Sequence, residues 1–359
     1  MQIGLIGLQN SGKTVLFKTL LNSSGSAAQG KADQTRTVVK VPDQRLNKLT
    51  SIFNPKKQVN ATLEIDDVAG LQVGDDGKIR ITSDFLNKVK NCDALLHVVR
   101  QFENDAVPHP ENSIDPLRDI NFLETEFLFS DMAMIENRLE KIKKDMLKSK
   151  TDQLQRELPV FTKLQEHVNK ELPIRLLSLD ENEKRTLSGY QFLTLKPMIR
   201  GINFDENSKD KVGSMVKQIE DSFPEHKPTI VPFFAQFEFE LSSLSKEEAE
   251  VFMQDFGITD SALDRILGSF YNMLGLQSFF TVGEDECRAW TITKGMTAQE
   301  SAGVIHTDFY NKFIRAEVVG YEDFINHGSI AKCKDAGAWR LEGKEYIVKD
   351  GDILNIRHN

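Results

Sequence analysis

The residues whose types and spacing best suit chemistry lie close to the N-terminus: Gly7-Leu8-Gln9-Asn10-Ser11-Gly12-Lys13-Thr14, followed by Val15. Gly7 and Gly12 let the backbone curl so that successive N–H groups turn inward at phosphate oxygens. Lys13 adds a point charge at the outer phosphates, and the Thr14 hydroxyl suits Mg²⁺. The same pattern can arise as a glycine turn without a ligand. Here an apolar strand-like run over 2–8 precedes it and a helical run over 13–22 follows, the context a phosphate loop needs. The segment Gly7 to Val15 is therefore expected to hold a nucleoside triphosphate, with Lys13 also stabilising charge on the transferred phosphoryl group.

Two further pieces belong to the same chemistry. Asp67-Val68-Ala69-Gly70 ends an apolar strand through Leu63 and Ile65. A phosphate-loop NTPase needs an acid there to hold Mg²⁺, usually through water, and a glycine whose N–H meets the terminal phosphate, so Asp67 is a metal candidate and Gly70 a catalytic one. Asn203-Phe204-Asp205-Glu206 follows the apolar run through Ile199 and Ile202. Ras-type GTPases carry Asn-Lys-x-Asp here, and the aspartate accepts two hydrogen bonds from guanine. Phe204 replaces the lysine, and Glu206, one methylene longer, stands at the aspartate position. Asn203 is expected to contact the base, and guanine selectivity is expected to weaken, because a misplaced hydrogen-bonding pair loses discrimination steeply.

These residues need elements to position them. Strand-like runs at 60–65, 94–99, 197–202 and 229–234 alternate with helical patterns, which implies an α/β layer fold with a largely parallel sheet. From Leu128 a helical seam runs through Met132, Ile135, Leu139, Ile142 and Met146; a second runs through Leu154, Leu158, Phe161, Leu164 and Val168, with Pro159 disturbing its first turn. The two seams predict an inserted antiparallel hairpin. Its first helix carries Arg138, Lys141, Lys143, Lys144, Lys148 and Lys150, either a solvated face or a contact for ribosome or RNA. Beyond Gly275, short strand-like runs at 279–282, 288–292, 314–319, 345–348 and 352–356 surround a helix near 300–309, a small α+β domain. The expected division is 1–127 with 178–275 for the nucleotide-binding domain, 128–177 for the hairpin and 276–359 for the last domain.

At 359 residues the chain is long enough for two or three domains. The balance of 45 basic against 54 acidic residues, net charge −9, argues against coating nucleic acid by bulk charge but leaves room for a local basic face. Cys92, Cys287 and Cys333 have no metal-ligand spacing, which points to free thiols in a reducing compartment. The N-terminus lacks a signal-peptide layout and no run approaches a membrane span, so a cytoplasmic protein without a membrane partner is expected. A monomer is the default expectation.

The chain resembles the YchF/Obg-like ATPases, a branch of the Obg-related translation-factor GTPases, over nearly its whole length. The resemblance rests on VPDQRL at 41–46, DVAGL at 67–71, CDALLHVVRQFEND at 92–105, DPLRDI at 115–120 and LTLKP at 193–197. It rests above all on 288–309, 313–324 and 338–355, which look like the family's TGS domain, a ubiquitin-like β-grasp module. The resemblance implies a nucleotide-binding domain, an inserted helical hairpin and a TGS domain. It further implies ATP accepted at least as well as GTP, and association with the ribosome, its large subunit or structured RNA.

The same resemblance frames hydrolysis. Where Ras-type enzymes place a water-orienting glutamine, Leu71 stands, as in the family's hydrophobic-substituted members. The family's substitute is a histidine on the loop after the HVVR strand; His109 matches it by position and reads equally as a solvent-exposed loop histidine. His97 reads as a packed strand residue, and His306 as structural or part of a partner surface. Asn10 matches the asparagine that seats K⁺ beside the phosphates in potassium-dependent relatives, or is a turn residue tolerant of left-handed backbone. Departures from the family fall on the switches. Gln9 replaces a proline, 29–37 differs from the usual first switch, and Thr35 and Thr37 are alternative Mg²⁺ ligands. The second switch becomes QVGDDGKIRITSDF, and Gln236, beside Ala235, stands where a base-packing lysine is common. The favoured reading is a slow Mg²⁺-dependent ATPase acting as a ribosome-associated switch. Two others are weighed: a nucleotide-gated binding module that hydrolyses negligibly, and a small-molecule kinase, disfavoured because no acceptor-binding lid is visible.

Overall fold

A computed structural model describes residues 1–24, 35–69, 71–73, 79–225, 227–258 and 260–359. In chain order the elements are β1 (Gln2–Ile6), α1 (Lys13–Ser24), β2 (Arg36–Lys40), α2 (Gln44–Phe53), β3 (Lys57–Val59), β4 (Thr62–Asp67), β5 (Leu71–Val73), β6 (Ile79–Ile81), α3 (Ser83–Lys90) and β7 (Ala94–Gln101). They continue with α4 (Pro116–Lys148), α5 (Asp152–Val168), β8 (Met198–Phe204), β9 (Thr229–Phe233), β10 (Leu276–Thr281), β11 (Glu286–Thr293), β12 (Phe313–Gly320), β13 (Arg340–Glu342) and β14 (Asp352–His358). The chain forms two compact units: Met1–Thr37 with Glu64–Ile266, and Val38–Leu63 with Leu267–Asn359.

The first unit is built on a sheet of order β2-β4-β1-β7-β8-β9, in which β4, β1, β7, β8 and β9 run parallel. Strands β7 and β8 read as nearly continuous apolar runs because both faces are covered, and only the last residue of β7 is more than slightly exposed. Ile6, Val68, Phe85, Leu95, Leu123 and Phe127 meet in one core on one side of the sheet, and Val99, Ile120, Ile202, Phe204 and Ile219 in another.

Helix α4 is a single 33-residue helix, capped by Asp115 with Pro116 in its first turn. Its first half packs Ile120, Leu123 and Phe127 into the cores just described. Its second half packs Ile135, Leu139 and Ile142 against Val160, Phe161, Leu164 and Val168 of α5. Each of these fully buried side chains contributes about 1.5–3 kcal/mol. Pro159 sits inside α5 without ending it: the helix starts at Asp152, where the Thr151 hydroxyl accepts from Leu154 N–H. Two carboxylates fasten the hairpin base. Asp131, fully buried, accepts from the backbone N–H groups of Leu193 and Thr194 and from the Thr194 hydroxyl, at 2.7–2.9 Å. Glu124 accepts from both Arg175 and Arg200. Arg138, counted with the basic face from sequence, is instead tied across the hairpin to Glu157. Lys141, Lys143, Lys144, Lys148 and Lys150 are exposed.

The second unit is a mixed sheet of order β13-β12-β14-β10-β11-β3. β10 and β11 form an antiparallel hairpin, β10 runs parallel to β14, and β12 is antiparallel to β14. Within 276–359 the first and last strands, β10 and β14, lie side by side and parallel, and with a helix (Ala298–Ile305) packed on the sheet they make the expected β-grasp arrangement. The segment 38–63 supplies α2 and edge strand β3. The strand expected at 345–348 does not form. Gly343 to Glu345 turn the chain, Ile347 makes one isolated bridge to Thr297, and the strand lies earlier, at β13. The helix expected at 300–309 breaks at His306, which adopts extended backbone and caps a short second helix through Nδ1. No helix among the described residues is long and apolar enough to cross a membrane.

Candidate active site: a phosphate loop under a wide cavity

Loops at the carboxyl ends of parallel strands are where an open α/β sheet builds its site. Here they enclose a cavity of about 1290 Å³ within the first unit. The phosphate loop, Ala69 and Leu71, with Thr82, Asp84 and Lys88 at and along α3, line one part of it. Phe102, Asn104, Val107, residues 203–207 and Phe234 to Gln236 line the other.

At the phosphate end, space dictates glycine. A Cβ on Gly7 would stand 2.4 Å from the Val98 carbonyl oxygen, and one on Gly12 would stand 2.1 Å from Asn203 Nδ2, where φ is also +95°. Lys13 Nζ donates to the Val68 carbonyl at 3.0 Å and lies 3.1 Å from Asp67 Oδ1. That oxygen is buried and accepts no hydrogen bond from the described residues. A buried carboxylate oxygen facing only a lysine, near the exposed Thr14 on the cavity wall, is the hard oxygen-donor set that suits Mg²⁺.

Asn203 joins the two ends. Its Nδ2 donates to the Ser11 carbonyl at 3.0 Å, and its Oδ1 accepts from Ala235 N–H at 2.9 Å, all buried. Its side chain is thus a strut between the phosphate loop and the start of the helix Ala235–Leu241. Because C=O and N–H of a trans peptide point oppositely, holding the Ser11 carbonyl toward Asn203 turns the Gly12 N–H the other way. Beyond Asn203 lie Phe204, packed in the core at 6.4 Å from the Phe234 ring, and Glu206 and Gln236, both exposed on the cavity wall. Gln236 donates to Glu240 at 2.8 Å. Partial burial, then Glu240 and Asp205, push the Glu206 carboxyl above its ordinary value.

Comparison with known proteins agrees with this geometry. The family model of the YchF-GTPase C-terminal region, described as a protein of unknown function, matches residues 276–359. That described as 50S ribosome-binding GTPase matches residues 2–156. The chain is 38% identical over 359 residues to the ribosome-binding ATPase YchF of Haemophilus ducreyi and 36% over 361 residues to that of Bacillus subtilis, covering 99% of this chain and 98% of each relative. The structure of the Schizosaccharomyces pombe YchF GTPase superposes with a TM-score of 0.89 at 30% identity, covering 99% and 97% of the two chains. The chain belongs to the YchF family.

Against that family pattern, several expected site residues sit elsewhere. His109 is buried and turned away from the cavity wall. Its Nε2 lies 3.0 Å from Asp119 Oδ2, and its Nδ1 accepts from Glu111 N–H at 3.1 Å, so both ring nitrogens are committed. An Nδ1 that accepts places the proton on Nε2, facing Asp119. The exposed loop histidine is thus excluded, and a catalytic His109 requires this loop to rearrange. Thr37 is buried on β2, whereas Thr35 is exposed and its carbonyl accepts from Asp67 N–H at 2.8 Å. Gly70 lies outside the described residues, as does most of the first-switch stretch at 29–34. Ser11 is buried in the phosphate loop, while Gln9 and Asn10 line the cavity, and Asn10 (φ 61°) donates through Nδ2 to the Pro108 carbonyl at 2.9 Å. His97 is a packed strand residue as expected: both its nitrogens lack partners, and burial, helped by Arg200, pushes the imidazole down to about 3.

Sequence reasoning did not single out Thr82, Asp84 and Lys88, or Phe102, Asn104 and Val107. Thr82 and Asp84 lie at the N-terminus of α3, where the Thr82 hydroxyl accepts from Phe85 N–H, and Asp84 pairs with Lys88 of its last turn at 2.7 Å. A helix start was legible there as Thr82-Ser83-Asp84; its place in the cavity was not. The second three follow β7 in the stretch 92–105, noticed only as part of the family likeness.

Proposed function

We propose that this chain is a Mg²⁺-dependent nucleoside triphosphatase that hydrolyses ATP, with GTP also accepted, and acts as a ribosome-associated switch in the cytoplasm. The observation that carries the reading is the phosphate loop with Lys13 set against Asp67 beneath a cavity wide enough for a nucleotide. Relatives named ribosome-binding ATPase YchF match the chain end to end.

Loop N–H groups from Gly7 to Val15 and the Lys13 ammonium would bind the phosphates and neutralise charge that builds on the transferred group. Thr14, Asp67 and Thr35 are the residues that would hold Mg²⁺, and Thr37 is set aside because the sheet buries it. Bound Mg²⁺ would supply further charge neutralisation at the outer phosphates. Asn10 Oδ1 has no partner among the described residues and is the atom that would contact K⁺. Gly70 would read the terminal phosphate. Glu206 and Gln236 would face the base, and Asn203 would hold their loop in place. Leu71, 5% exposed at the cavity wall, offers the attacking water nothing polar, so hydrolysis is slow until a partner or a rearranged His109 loop supplies orientation. The exposed lysines of α4 are the face offered to ribosomal RNA.

Purified protein is expected to release phosphate from ATP slowly, faster with ribosomes and with K⁺ in place of Na⁺, and Lys13→Ala is expected to abolish the release. Phosphate release that persists in Lys13→Ala, or none from the wild type under any of these conditions, would defeat the enzymatic reading.

A further inference from the structure

Arg100, at the end of β7, is 2% exposed, yet no carboxylate among the described residues pairs with it. Its guanidinium meets three backbone carbonyls: Phe102 at 3.0 Å, Asn10 at 3.4 Å and Asn104 at 3.5 Å. It also lies over the Phe102 ring, 4.3 Å from the centroid. Burial depresses its pKa, which shows the cost of keeping it charged there. A buried cation without an anionic partner is disfavoured by several kcal/mol unless something compensates it. Carbonyl dipoles and the ring face offset part of this cost and carry no net charge.

The three carbonyls are not random neighbours. Asn10 belongs to the phosphate loop, Phe102 and Asn104 belong to the stretch that follows β7, and all three line the cavity. We propose that Arg100 is a positioning residue of the nucleotide site, a buried countercharge behind the phosphate loop that also fixes the spacing between that loop and segment 102–104. Holding the Asn10 carbonyl outward turns the Ser11 N–H of the same planar peptide in the opposite direction. Arg100 thus does for Ser11 N–H what Asn203 does for Gly12 N–H. Asn10 Nδ2 donates to the Pro108 carbonyl and so ties the phosphate loop to the stretch after β7 a second time. The missing anion is the polyphosphate itself, whose charge falls from triphosphate to monophosphate.

This inference rests on the nucleotide-site reading, and its test separates the two. Equilibrium dissociation constants for ATP, ADP and AMP are measured by calorimetry for wild type, Arg100→Lys and the neutral variants Arg100→Met and Arg100→Gln. The neutral variants are expected to lose about tenfold or more for ATP, less for ADP and least for AMP, while Arg100→Lys keeps the wild-type ATP-to-AMP ratio. Equal losses for all three nucleotides, or none, would overturn the countercharge role, as would a collapsed ratio in Arg100→Lys. If both neutral variants are destabilised without ligand, the expected result is that the Tm gain from ATP over AMP shrinks relative to wild type and Arg100→Lys; an undiminished gap counts against the proposal. A wild type that does not bind ATP defeats the nucleotide-site reading instead.

Discussion

The two ends of the cavity solve binding in different ways. At the phosphate end, backbone does the work: glycines with no room for a Cβ, N–H groups turned by Arg100 and Asn203, and one lysine against one carboxylate. At the proposed base end side chains would do it, and Glu206 and Gln236 are exposed in the first turns of two short helices, Glu206–Lys211 and Ala235–Leu241. Backbone geometry tolerates almost no substitution, whereas an exposed side chain can change with little strain. The comparison teaches that phosphate binding is rigidly specified and base choice is adjustable, with Asn203 as the part common to both.

The sharpest way to break this contrast is Gly12→Ala, since its new Cβ would meet Asn203 Nδ2 and disturb both ends together. A loss of about 3 kcal/mol or more in ATP binding is expected, two decades in Kd by calorimetry, with a lower Tm. Lys13→Ala acts at one end only. It is expected to weaken ATP by roughly 10- to 100-fold, the range for a lost charged hydrogen bond, with the ATP-to-GTP ratio unchanged. Asn203→Ala leaves Ala235 N–H and the Ser11 carbonyl buried without their partner, about 1–3 kcal/mol each. ATP and GTP should weaken together and Tm should fall; an effect on one base alone would make Asn203 a base reader rather than a strut.

The smallest effect belongs to the base end. Glu206→Asp is expected to shift preference toward GTP by a few-fold in competition titrations, leaving total triphosphate affinity nearly constant. Because the Glu206 carboxyl is held above its ordinary value, it becomes neutral at a higher pH than a free glutamate as acid is added. Once protonated it stops accepting as a carboxylate, so the ATP-to-GTP ratio should change on acidification through that raised pKa. Glu206→Gln should show a flat ratio over the same range. A wild-type ratio independent of pH would remove Glu206 from the base contact.

Much of the site was legible because its chemistry is local. Gly7 to Thr14 are contiguous, and a glycine pattern between a strand and a helix carries its own geometry. Asp67 was legible because one strand leads straight to it. Asn203 was found as a motif residue, but its bonds to Ser11 and Ala235 were not foreseen, since nothing local says that those residues flank it. Arg100 ends the HVVR run and Phe102 follows it, both in plain view. Their part in the site depends on β7 lying beside β1, a pairing between distant segments. The hairpin seams were read correctly from Leu128 onward, yet α4 starts at Pro116, because its first turns bury residues against the sheet rather than against α5.

By itself the sequence determined a glycine-rich loop between a strand and a helix, a helical hairpin and a small α+β end, set by short-range patterns of glycine, charge and apolar spacing. Asp67 and the altered motif at 203–206 were legible as candidates, and the β-grasp followed from the family resemblance. Only the tertiary structure decided which polar atoms have partners. It committed both nitrogens of His109 to Asp119 and Glu111, buried Thr37, and left Arg100 with carbonyls and the Phe102 ring. It also gave 38–63 to the second unit, through β3 pairing with β11. Hydrogen bonding and burial depend on which distant segments meet, and that is settled by the packing of the whole chain.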